Sequence, residues 1–586
     1  MGIVANEEEG GGGGGGRGGE QKEIVFESLL PMYPFVPGCT IPEYVFKDVE
    51  KFSERVAVVD AAQGGDGRQY TYGQVHTLVR KFAAGLKREF GIRKGDVVLV
   101  LLPNVAEYSI FFLGIISAGA IFSGSNPAFH ASEIQKQVLA SDAKLILTSN
   151  SLLHKVKDCC HVPIVVTGEE EGSSAAHHGD QELAAAAAHS VKKLFEAADG
   201  IEGDQHEEDV VSMEDEDVCA MPFSSGTTGV SKGVMITHRN IVSNLTQTLA
   251  DLERISFADT AKDGDLVVLG LMPFFHIYGI SGILCATMRL KGRVIVMPRF
   301  SLREFMEVLL KYGITFAPIV PPIILQLVKS PVVDEFDLSR LRLMAVLSAA
   351  APLSTDLQMA FEAKFPGVDV QRAYGLTEHS CVTLSHCGPG HTRVHAKPGS
   401  VGFILPGTHL KFVDTDTGSS LPANTVGELC CRGTPTMKGY YKNLQATEAT
   451  IDKEGWLHTG DVGYIDDDGD IFVVDRVKEL IKYKGFQVPP AELEALLITH
   501  PLIADAAVVP LPDEEAGEIP AACVVLTQTD APLSAQEIMR FIASKVATYK
   551  QVRRVEFLSS IPKSSSGKIL RRLLKDQILS NVQPST

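Results

Sequence analysis

Short apolar runs alternate with amphipathic segments along the first half of the chain. Five runs are rich in Val, Ile and Leu and are bounded by Gly, Pro or Ser: VVLVLLP from Val97, KLILTSN, VPIVV, LVVLGLMP and RVIVMP. Between them, SEIQKQVLASDA from Ser132 has apolar residues at helical spacing. Strands that alternate with helices form βα units around mostly parallel sheets. The pattern therefore predicts a large α/β domain of βα-layered subdomains between about Val56 and Pro298.

None of the apolar runs is long enough to cross a membrane. The stretch from Phe111 to Ile121 is interrupted by Gly and Ser, whereas a membrane helix needs about 20 consecutive, mainly apolar residues. We expect these runs to be buried strands and helices, and we expect no transmembrane segment.

The residue pattern changes twice further along the chain. FVDTDTGSSLPANTVGELCCRG and GYIDDDGDIFVVDR have the turn residues of a β-rich subdomain. Beyond them, the strands DAAVVPL and AACVVLT and the helix SAQEIMRFIASKV predict a small α+β domain. We place the boundary near Asp475, which gives a large domain over 23–475 and a small mobile domain over 476–586.

Two segments have low complexity. Residues 1–22 contain EEEGGGGGGGRGGE and too few apolar residues to form a core, so we predict a disordered tail. The segment from about 168 to 217 is acidic, Ala-rich and contains several His residues. Those histidines lack regular ligand spacing, so we interpret it as a solvated surface insertion in preference to a metal-binding tract.

Charge and cysteine content limit the partners and the compartment. The 586-residue chain has a net charge of -18, which argues against nucleic acid, because phosphate backbones are bound through Lys and Arg. Its 10 cysteines show no CxxC pair or metal-ligand spacing, a pattern typical of a reducing compartment. We expect a cytosolic protein, with association at the endoplasmic reticulum surface and with downstream metabolic enzymes as a further expectation.

The strongest local signal is FSSGTTGVSKGVMITHRN, which begins at Phe223. Its glycines let backbone N–H groups converge on an anion, its hydroxyls add donors, and Lys232 neutralises phosphate charge. The pattern GxxxxGK[ST] is absent around Lys232 and around Lys568, so a P-loop kinase or ATPase is disfavoured. The segment therefore predicts a loop that binds a nucleoside triphosphate.

The run SSGTTGVSKGV resembles the phosphate-binding signature of acyl-adenylate-forming enzymes, with Ser231 where that family usually has Pro. The resemblance extends from about Ile24 through Leu574 and is closest to plant 4-coumarate:CoA ligases and their fatty-acyl-activating relatives. It implies that ATP and AMP are bound by Ser224, Ser225, Gly226, Thr227, Thr228, Lys232, Arg372, Ala373, Tyr374, Thr377, Asp461, Arg476 and Lys568.

The motif AYGLTEHS, from Ala373, resembles the adenine and magnesium motif of that family. The resemblance implies that Tyr374 stacks on the base, Thr377 reaches the phosphate and Glu378 helps to hold Mg²⁺, a hard cation that prefers carboxylate oxygen. In GWLHTGDVGYID and VVDR, it implies that Asp461 accepts both ribose hydroxyls and that Arg476 contacts ribose or phosphate.

The small domain resembles the part of these enzymes that supplies movable charges. Lys568, in IPKSSSGKILR, resembles the lysine that reaches the α-phosphate and the attacking carboxylate. By the same resemblance, the catalytic residues are Lys568, His276, Lys482 and Gln487, and CoA is bound by Arg299, Lys484 and Gly485. The acyl group or acyl-AMP is then bound by Tyr278, Ser281, Gly282, Ala350, Ser385, Lys478 and Lys482.

The resemblance implies an AMP-forming acid-thiol ligase with two half-reactions. A carboxylate attacks the α-phosphate of MgATP and gives acyl-AMP and pyrophosphate, and the CoA thiolate then attacks the acyl carbon and expels AMP. Because Lys568 serves the first step and the strip from Lys482 to Gln487 serves the second, the small domain is expected to swing near Asp475 between the steps.

Several pocket positions bear on the choice of carboxylate. His276 in LMPFFHIYGISGI replaces the Asp that pairs with the ammonium group in amino-acid-activating relatives. True 4-coumarate ligases commonly have Asn at the position of Ser281 and Gly at the positions of Ala349 and Ala373. These departures favour medium- or long-chain, hydroxylated fatty acids for pollen-wall precursors, as in plant anther-type acyl-CoA synthetases, over 4-coumarate in phenylpropanoid metabolism.

Three other classes remain as alternatives. A luciferase-like oxygenase would share the fold, and a modular adenylation enzyme would load a carrier protein in place of free CoA. A catalytically silent binding protein would also share the fold, although the phosphate-facing and lysine positions are all intact in this chain.

Overall fold

The computed structural model describes residues 5–8, 23–28, 36–61, 67–159, 161–168, 188–197, 212–224, 231–252, 265–349, 351–385, 397–484, 486–513, 515–527, 533–564 and 567–582. In chain order, the strands are β1 Ala5–Glu8, β2 Glu23–Glu27, β3 Val56–Asp60, β4 Gln69–Thr71, β5 Val97–Leu101, β6 Ile121–Gly124, β7 Ala143–Ser149, β8 Ile164–Thr167, β9 Ala188–Ser190, β10 Val218–Ala220, β11 Phe223–Ser224, β12 Lys232–Thr237, β13 Val267–Gly270, β14 Arg293–Val296, β15 Phe316–Ile319, β16 Ala345–Ser348, β17 Asp369–Arg372, β18 Tyr374–Leu376, β19 Cys381–Ser385, β20 Phe403–Ile404, β21 Thr408–Val413, β22 Gly427–Gly433, β23 Gly439–Tyr440, β24 Leu457–Ile465, β25 Ile471–Arg476, β26 Ile481–Tyr483, β27 Phe486–Val488, β28 Ile503–Asp513, β29 Gly517–Leu526 and β30 Arg554–Phe557.

The helices lie between these strands. The α-helices are α1 Ile41–Val45, α2 Tyr72–Phe90, α3 Tyr108–Ser117, α4 Ala131–Ser141, α5 Val191–Ala197, α6 His238–Leu252, α7 Ala286–Arg289, α8 Leu302–Tyr312, α9 Pro321–Lys329, α10 Thr355–Lys364, α11 Leu444–Glu448, α12 Pro490–Ile498, α13 Ala535–Ala543 and α14 Arg571–Val582. The 3₁₀ turns are Val49–Phe52, Asn150–Lys155, Lys157–Cys159, Pro331–Glu335, Leu338–Arg340, Thr377–His379 and Thr548–Lys550, and a π-helix covers Gly279–Cys285.

Two mostly parallel sheets carry the large α/β domain. Their strand orders are β11-β12-β10-β6-β5-β7-β8-β9 and β17-β16-β15-β13-β14-β3-β4. Every residue of β5 is buried, as expected for a strand covered on both faces. The apolar helix α3 is also buried along its length from Tyr108 to Ile116, because a helix that is apolar all round belongs in a core. The predicted α/β class is confirmed.

Part of the segment predicted to be a solvated insertion packs into the core. Strand β9 extends the first sheet beside β8, and α5 buries Val191 and Leu194. A Cβ atom at Gly85 of α2 would lie 2.5 Å from the Leu194 carbonyl oxygen, so the two helices make close backbone contact there. The prediction was wrong for 188–197, because Val191 and Leu194 share one helix face despite their polar surroundings. The rest of 169–211 lies outside the described residues.

A third, antiparallel sheet has the order β1-β2-β21-β22-β24-β25. Its edge strand β1 pairs Ala5 with Phe26 and Glu8 with Glu23. Disorder was predicted for all of 1–22, whereas 5–8 form a strand. Main-chain hydrogen bonds to β2 hold this strand, which has no large apolar side chain. The other residues of that tail lie outside the described part of the chain. The predicted β-rich subdomain is formed by this sheet.

The chain changes sheets between Arg476 and Ile481. Arg476 still pairs with Asp461 across β25 and β24, whereas β26 joins a sheet of order β27-β26-β29-β28, with β30 beside β29. Helices α12, α13 and α14 complete this small α+β unit. The division at 475 and 476 stays our interpretation of where one domain ends. Within the described residues, no helix combines the length and apolar character needed to span a membrane.

Candidate active site

Asp461 and Arg476 form one corner of the site on neighbouring strands. They are direct partners in the β24–β25 register, and Arg476 Nε lies 3.2 Å from Asp461 Oδ1. From β18, the Tyr374 hydroxyl donates a hydrogen bond to Asp461 Oδ2 at 2.6 Å. Burial raises the pKa of Asp461, and the charge of Arg476 opposes that rise. The corner therefore presents a buried carboxylate, a guanidinium and an aromatic ring, which suit ribose and a base.

Lys232 forms a second corner, at the start of β12. Its side chain is only 8% exposed, and its Nζ has no hydrogen-bond partner within the described residues. The ammonium lies 4.3 Å from the centroid of the Tyr440 ring. Burial lowers its pKa, and the charge of Glu378 opposes that shift. A buried ammonium without an acceptor is costly, so this corner is suited to bind an anion such as phosphate.

Glu378 lies beside Lys232 and is also buried. Its Oε1 accepts a hydrogen bond from the Tyr440 hydroxyl at 3.0 Å, and its backbone oxygen accepts from Met437 N at 2.9 Å. A single fixed carboxylate next to a phosphate-binding ammonium fits Mg²⁺ held between the protein and a nucleotide. Tyr440 links the two charged groups, and sequence reasoning missed it because it lies far from both along the chain.

Lys568 reaches this region from the small unit. Gly567, at φ +80°, places it in a turn where Ser564 Oγ accepts from Lys568 N at 3.1 Å. Burial, followed by the charge of Arg476, lowers the pKa of the Lys568 ammonium, while Asp461 and Glu378 oppose the shift. The Lys568 ammonium is therefore within electrostatic range of Asp461 and Arg476 in the first corner and of Glu378 in the second.

His276 is within electrostatic range of this ammonium and begins the predicted acyl wall. Its Nδ1 accepts a hydrogen bond from Tyr278 N at 3.2 Å. The side chain is exposed to solvent, and the neighbouring protein atoms, followed by the charge of Lys568, lower the pKa of His276. The imidazole is therefore neutral near pH 7, and Lys568 supplies the positive charge at this place.

The predicted acyl wall continues into a π-helix over Gly279–Cys285, an irregularity that is frequent at functional sites. A Cβ atom at Gly282 would lie 2.5 Å from Cε2 of Tyr278, so only glycine lets this ring pack flat against the helix. Ser281 is 1% exposed, and its Oγ has no hydrogen-bond partner within the described residues. The wall thus contains an enclosed hydroxyl in mostly apolar surroundings.

The carboxyl ends of β16 and β17 meet at the same edge, where ligands of parallel sheets bind. Ser348 and Arg372 are register partners, and Ala373 N donates to the Ser348 oxygen at 3.2 Å. Arg372 Nε donates to Gln358 Oε1 at 3.0 Å, whereas Arg372 Nη2 and Ser348 Oγ have no partner among the residues described. Sequence reasoning missed Ser348, whose only signal is its place at a strand end.

Other predicted residues lie apart from these corners or outside the description. Lys482 and Gln487 are partners across β26 and β27 and are exposed, as are Lys484, Lys478 and Arg299. Lys478 is near enough that its charge lowers the pKa of Lys232. Thr377 begins the turn that carries Glu378. Outside the described residues are Ser225, Gly226, Thr227, Thr228, Ala350, Gly485 and the side chain of Ser385; Ser224 ends β11, immediately before that gap.

A hydrogen-bond network behind the ribose corner holds the turn that carries Asp461. Glu428 Oε1 accepts from Gly460 N at 3.0 Å, and Glu428 Oε2 lies 3.1 Å from His458 Nδ1. Thr459 Oγ1 accepts from Asp461 N at 3.1 Å. We infer that Glu428 positions Asp461 through the backbone of Gly460.

The same network has the donor types of a metal site, because Cys430 Sγ also lies 3.4 Å from His458 Nδ1. Burial raises the pKa of the Cys430 thiol, and the hydrogen bond to Glu428 raises the pKa of His458. Both shifts favour the protonated forms, whereas a metal needs thiolate and neutral imidazole. We interpret the cluster as structural.

Replacing Glu428 with Ala is expected to raise KM for ATP about tenfold, because one half-buried charge-assisted hydrogen bond is worth about 1.5 kcal/mol. Glu428→Gln keeps an acceptor for Gly460 N and should raise KM less. Steady-state kinetics with varied ATP check this, with Glu454→Ala as the exposed control. Equal KM values for wild type and Glu428→Ala would remove Glu428 from the account.

The Glu428–His458 pair also predicts a pH effect. Because the folded pKa of His458 is raised above 6.5, its contribution to stability is complete below pH 6.5 and is lost as pH rises through the folded value. The difference in Tm between wild type and Glu428→Gln should therefore be larger at pH 6 than at pH 9. A difference independent of pH would show that the pair adds no ionic stabilisation.

Comparisons with known proteins place this geometry in a family. The model of the AMP-binding enzyme family matches residues 45–441, and that of the AMP-binding enzyme C-terminal domain matches residues 492–568. The chain is 54% identical over 561 residues to 4-coumarate–CoA ligase-like 1 of Arabidopsis thaliana, covering 96% of this chain and 98% of that protein. It is 41% identical over 565 residues to 4-coumarate–CoA ligase 1 of Petroselinum crispum, with 96% and 98% covered.

Solved structures show the same fold. An anthranilate CoA ligase in complex with anthranoyl-AMP aligns with a TM-score of 0.79 at 24% identity, covering 94% of this chain and 99% of that one. ATP-bound MatB from Rhodopseudomonas palustris aligns with a TM-score of 0.76 at 23% identity, covering 93% and 100%. The family matches, the relatives and the assembled site agree: this chain belongs to the AMP-binding enzyme family of acyl-adenylate-forming enzymes, in its plant 4-coumarate–CoA ligase-like branch, and is an AMP-forming acyl-CoA ligase that uses ATP, Mg²⁺ and CoA.

Proposed function

We propose that this ligase activates medium- or long-chain hydroxylated fatty acids for pollen-wall precursors. The observation that carries the proposal is the Ser281 hydroxyl, which is enclosed in the acyl wall and has no protein partner within the described residues. A buried hydroxyl without a partner costs free energy, and a hydroxyl on the acyl chain would satisfy it. Serine is also shorter than the Asn common in true 4-coumarate ligases, so it leaves more room.

The identity values separate this chain from the proteins named simply 4-coumarate–CoA ligase. The chain is 54% identical to the Arabidopsis and rice proteins named 4-coumarate–CoA ligase-like 1 and 9, and 41% identical to 4-coumarate–CoA ligases 1 and 2 of Petroselinum crispum. Activation of 4-coumarate for phenylpropanoid metabolism is the second candidate function, which the names of all these relatives favour.

The residues of the two corners account for the first half-reaction. The substrate carboxylate oxygen attacks the α-phosphorus of ATP, the bond to the pyrophosphate oxygen breaks, and pyrophosphate leaves. Negative charge peaks between the attacking and leaving oxygens, where the Lys568 and Lys232 ammonium groups neutralise it. Tyr374 and Asp461 hold the nucleoside, Glu378 would hold Mg²⁺, and that ion, when bound, neutralises phosphate charge.

For the second half-reaction, we propose that the small domain turns near Asp475. That rotation withdraws Lys568 and brings the strip from Lys482 to Gln487, which is exposed in this structure, towards acyl-AMP. The CoA thiolate attacks the acyl carbon, the bond to the phosphate oxygen breaks, and AMP leaves. No protein nucleophile takes part in either step.

We also propose a cytosolic location, with association at the endoplasmic reticulum surface beside downstream enzymes. Buried thiols such as Cys219, Cys285 and Cys523 are free, as expected in a reducing compartment. Membrane fractionation with and without high salt tests the surface association.

Substrate competition tests the acyl preference. AMP release dependent on CoA and Mg²⁺ is measured with 4-coumarate, caffeate and C12 to C18 fatty acids, with and without an in-chain hydroxyl. We expect the hydroxylated fatty acids to have the highest kcat/KM, by about tenfold over the matched acids, since one satisfied hydroxyl is worth about 1.4 kcal/mol. Ser281→Ala should reduce this advantage, whereas a highest kcat/KM for 4-coumarate would contradict the proposal.

A further inference from the structure

Helix α9 contacts the small domain at both of its ends. At its N-terminal end, a Cβ atom built on Gly567 would lie 3.5 Å from Val320 Cγ2 and 3.7 Å from Pro322 Cγ. The turn that carries Lys568 therefore rests on the start of this helix. At its C-terminal end, Lys329 Nζ donates to the Ile503 oxygen at 3.0 Å and to the Ile498 oxygen at 3.5 Å.

The positive charge of Lys329 matches the partial negative charge of the carbonyl at the end of α12. Ile498 is the last residue of α12, and the final carbonyls of a helix lack partners inside the helix and carry partial negative charge. An ammonium that donates to such carbonyls makes charge-assisted hydrogen bonds, which are stronger than neutral ones. This is a specific contact between the domains, because Lys329 comes from the large domain and both carbonyls come from the small one.

The two contacts together determine an orientation. A nine-residue helix is about 13 Å long, so the small domain is held at two separated points of one rigid element. The hydrogen bond from Ala491 N to Asp475 Oδ2 at 3.0 Å holds the small domain close to the boundary, and the contact at Lys329 adds resistance to rotation at the far end of α9. The orientation that results is the one in which Lys568 lies among Asp461, Arg476 and His276.

We propose that Lys329 is a positioning residue for adenylation: it holds the small domain in the orientation that presents Lys568, and it releases the carbonyls of Ile498, at the end of α12, and Ile503, at the start of β28, when the domain turns for the CoA step. The inference rests on the proposed two-step domain motion and is independent of which acid is activated. It predicts that loss of Lys329 slows only the first half-reaction.

Lys329→Met tests this by separating the two half-reactions. Adenylation is followed as ATP–pyrophosphate exchange with the acid that the wild-type enzyme uses best, and thioester formation is followed from synthetic acyl-AMP and CoA. We expect exchange to fall about tenfold, the size expected for losing one charge-assisted hydrogen bond. The rate of thioester formation should stay unchanged or rise, and Lys329→Arg should retain most of the exchange.

Lys364 offers a matched control at the same helix end. Its Nζ donates to the Val328 oxygen at 3.3 Å and lies 3.0 Å from Asp334 Oδ1, so these contacts stay within the large domain. Lys364→Met should lower Tm without changing the ratio of the two half-reactions. Equal slowing of both half-reactions by Lys329→Met, or no effect on either, would overturn the proposal. If the proposed fatty-acid substrate is wrong, the substrate competition will instead give another acid the highest kcat/KM with the wild-type enzyme.

Discussion

Replacing Lys568 with methionine is expected to slow acyl-adenylate formation by about 10²–10³-fold, the usual cost of removing one preorganised group that stabilises transition-state charge. The Lys568 ammonium is within electrostatic range of Asp461, Glu378 and Arg476, and the neutral His276 imidazole cannot replace its charge. Thioester formation from synthetic acyl-AMP should stay near the wild-type rate, because in our account Lys568 serves the first step only. ATP–pyrophosphate exchange and thioester formation are the two measurements.

Lys563 provides the control for this variant. It lies in the same segment, but its Nζ pairs with Asp505 at 2.7 Å, within the small domain. Lys563→Met should therefore lower stability while leaving exchange within about twofold of wild type, as is usual for a charge away from the reacting atoms. If Lys568→Met slows both half-reactions equally, the assignment of Lys568 to adenylation is wrong.

Replacing Lys232 with methionine is expected to move activity and stability in opposite directions. The kcat/KM for ATP should fall about 100-fold, because the ammonium that binds phosphate is lost. The ligand-free protein should become more stable by about 1–2 kcal/mol, because a buried charge without a hydrogen-bond acceptor is replaced by an apolar chain of similar length. Enzyme kinetics and urea unfolding without ATP measure the two effects.

Lys442 is the exposed control for Lys232, since its ion pair with Asp142 is at the surface. Lys442→Met should change neither kcat/KM nor the free energy of unfolding by much, as is typical of surface ion pairs. A Lys232→Met protein that is both less stable and inactive would indicate that Lys232 has a structural partner that our account lacks.

Local sequence pattern predicted much of the fold. The runs from Val97 and in KLILTSN became strands β5 and β7, and SEIQKQVLASDA became helix α4, because buried parallel strands and amphipathic helices leave clear periodic patterns. Residues 188–197 were misjudged because they lack such a clear pattern. Their two core residues, Val191 and Leu194, are too few to stand out among Ala, Glu and Lys.

The site was predictable where its chemistry is concentrated in short motifs and unpredictable where it depends on tertiary contact. Asp461, Tyr374 and Arg476 come from separate motifs, and the structure brings them together. Tyr440 acts through a long-range contact with Glu378, and Lys329 acts through long-range contacts with Ile498 at the end of α12 and Ile503 of β28. A tyrosine or lysine on the surface of a helix or strand has no local sequence pattern that distinguishes a residue with a long-range contact from an ordinary exposed residue.

Attack of the substrate carboxylate on the α-phosphorus of ATP transfers a carboxylate oxygen to AMP, and isotope labelling measures that transfer. The enzyme is incubated with ATP, Mg²⁺, CoA and its best acid carrying ¹⁸O in the carboxylate, and the products are analysed by mass spectrometry. Our account predicts one ¹⁸O atom in AMP and none in pyrophosphate. Label in phosphate together with ADP would contradict it, because that result requires attack on the γ-phosphorus.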